Sequence, residues 1–392
     1  MTDEKDLPVT KSAKSALAKI TTPSSQQGVQ RALVTTASSI VAVLIALVIS
    51  GILLQVTGKS AFDAYGKMLE VALTGDKLIE ALQRATPLIF SATAVAIGFK
   101  MGMFNIGVEG QYLFGALMAA VIGAELSLPA PLHVAVMLLL AMFFAGLYAA
   151  IPAILKIKRG VNEVIATIML NYVALSVIQW LFDTWFRDDS VSGLNVKTKL
   201  LPTSAWMPNI VDGKSPLSGM FIVALFVIAG YWLLVFKSRF GFRLRASGLN
   251  PVAARTAGIA SSRMILTAML ISGAIAGLVA LPSILGEIHA YGQGVPDGLG
   301  FGGIAVALLG RNHPVGIGAA AFLFGLLNST SGALQLEKIP NSIVGVIQAI
   351  ILITVVIVNE ATTRQMNKRT ASRTAKVLDS TASGAIPAGA TA

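Results

Sequence analysis

The segment KMGMFNIGVEGQYLFG, residues 100–115, sets Asn105, Glu109 and Gln111 between two apolar runs, with Gly102, Gly107 and Gly110 among them. A carboxylate at a bilayer centre costs about 2.5 to 3.5 kcal/mol on insertion scales, so one found in a span faces a protein interior or a water-filled cavity. Asn105 and Glu109 are four apart and share a face wherever the helix already runs, whereas Gln111 lies on another side. The glycines permit a helix break, and freed backbone groups at a break need polar partners. Two roles follow for Glu109: brace across the break, or wall of a polar pathway.

The same chemistry recurs twice. In GVNEVIATIMLNY, residues 160–172, Asn162 and Glu163 open a span as a helix cap would, and Asn171 is a mid-span amide that needs a hydrogen-bond partner. In LPSILGEIHAYGQGVPDGLGFGGIAVALLG, residues 281–310, Pro282, Glu287 and a run of glycines mark a counterpart break. The pathway candidates are therefore Asn105, Glu109, Gln111, Asn171 and Glu287. No G-x-x-x-x-G-K-[ST] occurs, which excludes a P-loop ATPase, and His133, His289 and His313 form no ligand-spaced cluster. No catalytic residue, metal or cofactor is expected in this chain.

The elements that must position these groups are greasy helices. Of 392 residues 55% are hydrophobic and 12% charged, and apolar runs of bilayer length recur, so an all-α integral membrane protein is expected. Hydropathy places ten spans near 32–54, 87–104, 106–125, 132–155, 162–182, 217–236, 263–285, 299–311, 314–334 and 341–359, the second, third and eighth being short or glycine-interrupted. The net charge of +11 concentrates in Lys5 to Arg31, KIKRG at 156–160, KSRFGFRLR at 237–245 and Arg364 to Lys376. With both termini in the cytoplasm those clusters obey the positive-inside rule, and membrane lipids rather than nucleic acid are the expected surroundings.

Blocks 87–182 and 263–359 then enter the membrane from opposite sides, the topology of an inverted repeat with broken helices at corresponding positions. Residues 1–31 read as a cytoplasmic N-terminal segment, 32–359 as the transmembrane domain, 59–86 as an external interfacial helix, and 183–216 as an external loop with Trp185 and Trp206. The stretch 360–392, rich in Ser, Thr, Ala and Gly, reads as a disordered cytoplasmic tail. Within the loop 237–262, Asn250-Pro251 followed by Ala253-Ala254-Arg255 and Gly258 predicts a short helix with a clean end, which is either a docking element or an ordinary basic loop.

Four segments in one order, ATPLIFSATAVAIGFKMGMFNIGVEGQYLFGA, GVNEVIATIMLNYVA, RASGLNPVAARTAGI and GFGGIAVALLGRNHPVG, make the chain resemble the permease subunits of ABC importers for nucleosides and simple sugars, related to the branched-chain amino acid permeases. The resemblance implies a bacterial inner-membrane subunit working with a second homologous permease, two cytoplasmic ATPase domains that use ATP and Mg²⁺, and an external substrate-binding lipoprotein. It also implies that Arg245, Gly248, Leu249, Asn250, Pro251, Ala253, Ala254, Arg255 and Gly258 form the coupling segment that seats in the ATPase, with Val252 standing where many importers carry an acid. Nucleosides are the implied cargo and monosaccharides the alternative. A stand-alone ion-coupled transporter, with Glu109 and Glu287 as its coupling carboxylates, is the reading from another class.

Overall fold

The computed structural model describes residues 25–56, 58–188, 196–336, 340 and 342–383. Most of the basic N-terminal segment and the last nine residues of the tail lie outside them. The described chain forms helices α1 (Ser25–Val56), α2 (Ala61–Ala72), α3 (Gly75–Lys100), α4 (Val108–Ala124), α5 (Ala130–Arg159), α6 (Glu163–Leu181), α7 (Met220–Trp232), α8 (Arg239–Leu249), α9 (Pro251–Thr256), α10 (Ser261–Ala276), α11 (Leu299–Leu309), α12 (Pro314–Leu336) and α13 (Ser342–Ser383). Strands β1 (Asn209–Val211) and β2 (Leu217–Ser218) pair antiparallel in the connection before α7. Two compact units result, one holding α1 to Ser50 with α13 from Ile350, the other running from Gly51 to Ala349.

Within the larger unit the two halves exchange partners. The first helix of the first half, α3, packs on the third helix of the second, α12, and α10 packs on α5 in the same way. Small residues make both contacts. A Cβ on Gly325 of α12 would lie 2.3 Å from the Ala81 carbonyl, and one on Gly277 of α10 would lie 2.2 Å from the Ala141 carbonyl. In lipid there is no hydrophobic drive between helices, so close backbone approach through Gly and Ala supplies the van der Waals contact that holds them. The outer faces carry the exposed Leu139, Phe143, Leu147, Ile165, Met169 and Phe226, an apolar surface suited to acyl chains and not to water.

The count of ten spans is not confirmed. Seven helices among the described residues are long and apolar enough to cross a membrane: Ala37–Val56, Ala130–Arg159, Glu163–Phe186, Met220–Lys237, Ser261–Ile288, Pro314–Gln335 and Ser342–Met366. At about 1.5 Å per residue, the 17 residues of α4 and the 11 of α11 fall short of a core roughly 30 Å thick. Helix α3 is long enough, yet its first turns carry Asp76, Lys77, Glu80 and Arg84, with Glu80 paired to both Lys77 and Arg84. Hydropathy saw its apolar end and missed the polar beginning.

Two other expectations change. The interfacial segment 59–86 is two helices, because Leu73 and Thr74 end α2 and residues from Gly75 onward belong to α3. The tail is helical as far as Ser383. It prolongs a helix already nucleated in the membrane, so alanine, lysine and arginine there add turns without a nucleation cost. The external loop after α6 packs down on the segment that follows α10: Trp206 stacks on His289 with ring centroids 3.7 Å apart, and Thr198, Leu201 and Met207 donate their N–H groups to Tyr291, His289 and Leu285 carbonyls at 2.8 to 2.9 Å.

Candidate functional site

Helix α3 ends at Lys100, and the chain runs without helix from Met101 to Gly107 before α4 begins. Gly102 permits that stop with φ +73°, a left-handed conformation that favours glycine. The break strands backbone groups away from water, where each unpaired one is costly. Side chains from distant elements satisfy them. Asn171 of α6 accepts from the Gly110 N–H through Oδ1 at 2.9 Å and donates through Nδ2 to the Ile106 carbonyl at 2.9 Å, so one amide closes both sides of the gap.

Asn105 lies inside the break and not on a helix, so the condition for sharing a face with Glu109 is not met. Its carboxamide pairs instead with Gln111, each Nδ2 or Nε2 donating to the other's oxygen at 2.9 Å. Asn105 Nδ2 also donates to Ser272 Oγ at 2.9 Å, and that hydroxyl donates to the Ala94 carbonyl at 2.7 Å. Both amides are 1% exposed, so the pair ties α10 to the end of α3 in a region closed to solvent.

Glu109 faces the second break. Its Oε1 accepts the Gly298 N–H at 2.6 Å and the Tyr112 hydroxyl at 2.8 Å, and its Oε2 accepts the Gly300 N–H at 2.7 Å. Gly298 is the N-cap of α11, with φ +74°, so the carboxylate caps a half-helix of the other half of the molecule, where unpaired N–H groups and the helix dipole favour a negative charge. The Tyr112 hydroxyl also reaches the Pro296 carbonyl at 2.9 Å. All three neighbours of the carboxylate are donors, and a Cβ on Gly300 would lie 2.7 Å from Oε2. The site is built around a glutamate carboxyl group held against a bare backbone.

Asn105, Glu109, Gln111 and Asn171 thus come together, each with its polar atoms committed to the protein. Glu287 does not join them. It is exposed on the π-helical turn Ile284–Ile288 and accepts from Gln83 Nε2 at 3.1 Å. Tyr112, Ser272, Gly298 and Gly300 were not singled out in the sequence. Tyr112 sits three residues after Glu109, a spacing that offered a clue, whereas Ser272 gave none.

The second cluster is the connection after α7. Asn250 caps α9, its Oδ1 accepting from the Val252 and Ala253 N–H groups at 3.1 and 3.0 Å, Pro251 takes the first helical position, and Gly258 with φ +78° follows the end. The short helix is the one the spacing predicts. Ala254 is buried, while Leu249 and Val252 are 88% and 71% exposed beside Arg255. Arg245 extends over the Phe236 ring, its Cζ 5.5 Å from the centroid.

The family model described as branched-chain amino acid transport system / permease component matches residues 78–356, which spans both breaks and the connection between them. The chain belongs to that permease family. Relatives include the guanosine ABC transporter permease protein NupP of Bacillus subtilis (strain 168), 36% identical over 80% of this permease and 91% of that protein. The nucleoside ABC transporter permease protein NupB of Lactococcus lactis subsp. cremoris (strain MG1363) is 32% identical over 80% of the permease and 88% of its own length. The glucose ABC transporter permease protein TsgB13 of Haloferax volcanii is likewise 32% identical, over 80% and 85%.

Proposed function

We propose that this permease carries nucleosides inward across a bacterial plasma membrane, with both of its termini in the cytoplasm. An external binding lipoprotein delivers the cargo, a second homologous permease completes the pathway, and two cytoplasmic ATPase domains supply ATP hydrolysis with Mg²⁺. The observation that carries the proposal is 36% and 32% identity, over four fifths of the chain, to permeases named for guanosine and nucleosides. The exposed Phe242, Leu249 and Val252 with Arg239, Arg243 and Arg255 on α8 and α9 offer an apolar and basic face for the ATPase.

The buried polar groups support import of an uncharged cargo rather than ion coupling. Glu109 is surrounded by donors, an arrangement that suits a fixed anion and leaves a cation to displace the cap of α11. In this account Asn105, Glu109, Gln111 and Asn171 shape the pathway by holding its two breaks, and their own polar atoms do not bind the cargo. Monosaccharide import is the second reading, favoured by the 32% identity to the glucose permease.

Competition separates the two. In cells stripped of endogenous uptake and expressing the permease with its companion subunits, labelled guanosine uptake is expected to be suppressed by unlabelled uridine or adenosine and untouched by glucose or ribose. Uptake of labelled glucose, with no uptake of labelled guanosine, would make the monosaccharide the cargo.

A further inference from the structure

Phe236 lies in the π-helical turn Leu233–Lys237 that closes α7, two residues before α8. Three elements meet its ring. Lys100 Nζ, at the end of α3, is 5.3 Å from the centroid; Arg245 Cζ of α8 is 5.5 Å away; and the ring of His313, in the turn between α11 and α12, is 5.7 Å away. Two cations with like charge are thus held on one aromatic quadrupole, an arrangement an aliphatic side chain cannot reproduce. One turn earlier on α7, the Tyr231 hydroxyl donates to the Asn312 carbonyl at 2.7 Å in the same α11–α12 turn. Arg311 and Asn312 there adopt φ +55° and +53°, left-handed values that are uncommon for residues with a Cβ.

The other end of α8 touches the other half. A Cβ on Gly248 would lie 2.5 Å from the Lys100 carbonyl oxygen and 2.8 Å from the Met101 carbonyl carbon, so α8 lies directly on the turn that opens the first break. The cytoplasmic connection is therefore in van der Waals contact with the first half through Gly248 and in ring contact with the second through Phe236. Contacts this tight do not compress, so a displacement of α8 must be passed on or must break them.

We infer that Phe236 and Gly248 are positioning residues through which the exposed helix pair α8–α9 moves the Lys100–Gly102 turn and the Arg311–His313 turn together. Gly248 bears on the first half, and Phe236 meets Lys100 of the first half and His313 of the second, so one push on α8 reaches the turn that opens the first break and the turn that ends α11. The inference deepens the ATP-driven reading given above and rests on it.

The chain contains no cysteine, so one introduced thiol lets this subunit be labelled at a single site before it is assembled with its partners. Val315, 76% exposed in the first turn of α12, takes a nitroxide as Val315→Cys in the complete transporter reconstituted with its ATPase. The spectrum is expected to change on addition of ATP, and Phe236→Leu is expected to abolish that change and to lower cargo moved per ATP hydrolysed by about tenfold. Phe236→Tyr restores both. A Phe236→Leu transporter that keeps the label response, or that loses uptake and ATP hydrolysis in parallel, overturns the inference. If the transporter with Phe236 intact shows neither a label response nor ATP-dependent uptake, the ATP-driven reading itself fails.

Discussion

Glu109→Gln is expected to destabilise the permease by about 3 kcal/mol and to abolish most of its transport, although the two side chains have nearly the same shape. Glu109 receives three donors, two on Oε1 and one on Oε2. A glutamine retains one acceptor oxygen. Whichever way the amide turns, its NH₂ faces the Gly298 or the Gly300 N–H, and a buried donor is left opposing another donor. The negative charge that complements the α11 N-terminus is lost as well. Unfolding in detergent, followed by loss of helical signal, measures the stability, and uptake in vesicles measures function. Retained stability together with normal uptake would leave the ionised carboxylate without a structural role. Glu109→Asp, which keeps the charge on a shorter arm, is expected to fall between the two.

Gly303→Ala should be nearly as damaging. A Cβ at that position would lie 1.9 Å from Ser91 Oγ and 2.5 Å from Ser91 Cβ, closer than atoms can stand, so α11 must move off α3. Overpacking of a rigid interface costs about 1 to 3 kcal/mol, and the displacement also strains the 2.8 Å bond from Ser91 Oγ to the Leu299 carbonyl. Adding Ser91→Gly to the same chain removes the two nearest obstructing atoms, leaving the Ser91 backbone carbon 2.8 Å away, and is expected to recover part of the loss. Gly230→Ala, with nothing within 4 Å of its Cβ, is the control and should leave stability unchanged. Equal stability of Gly303→Ala and Gly230→Ala, read from thermal unfolding of the purified proteins, would contradict the packing described for α11 against α3.

Features decided within a few residues were legible in the sequence. Asn162 caps α6 with its Oδ1 2.8 Å from the Val164 N–H, and Asn250-Pro251 starts α9, both from local spacing alone. The position of the first break followed from glycines beside polar residues in an apolar run. What the polar residues bond to did not follow, because the partners lie far along the chain. Ser272 is 167 residues from Asn105, and the Gly300 N–H is 191 residues from Glu109. Spacing puts Asn105 and Glu109 on one face only where a helix already runs at Asn105, and the break removes that helix. The ten expected spans and the seven that meet the length and composition of a span differ for a related reason. Hydropathy registers how apolar a segment is, and α4 and α11 are apolar enough for a span while stopping short of its length.

Glu109 joins the first break to the second, and Asn171 closes the first on itself, so the two half-helices are held by side chains rather than by continuous backbone. In the proposed ATP-driven import, that would let a displaced α8 move them without unwinding a full span. The direct measurement is labelled guanosine uptake into inside-out and right-side-out vesicles carrying the permease with and without its ATPase subunits. The expected result is inward transport that needs ATP on the cytoplasmic face and the ATPase, and that survives collapse of proton and sodium gradients. Uptake that continues without the ATPase and stops when a gradient is collapsed would contradict it.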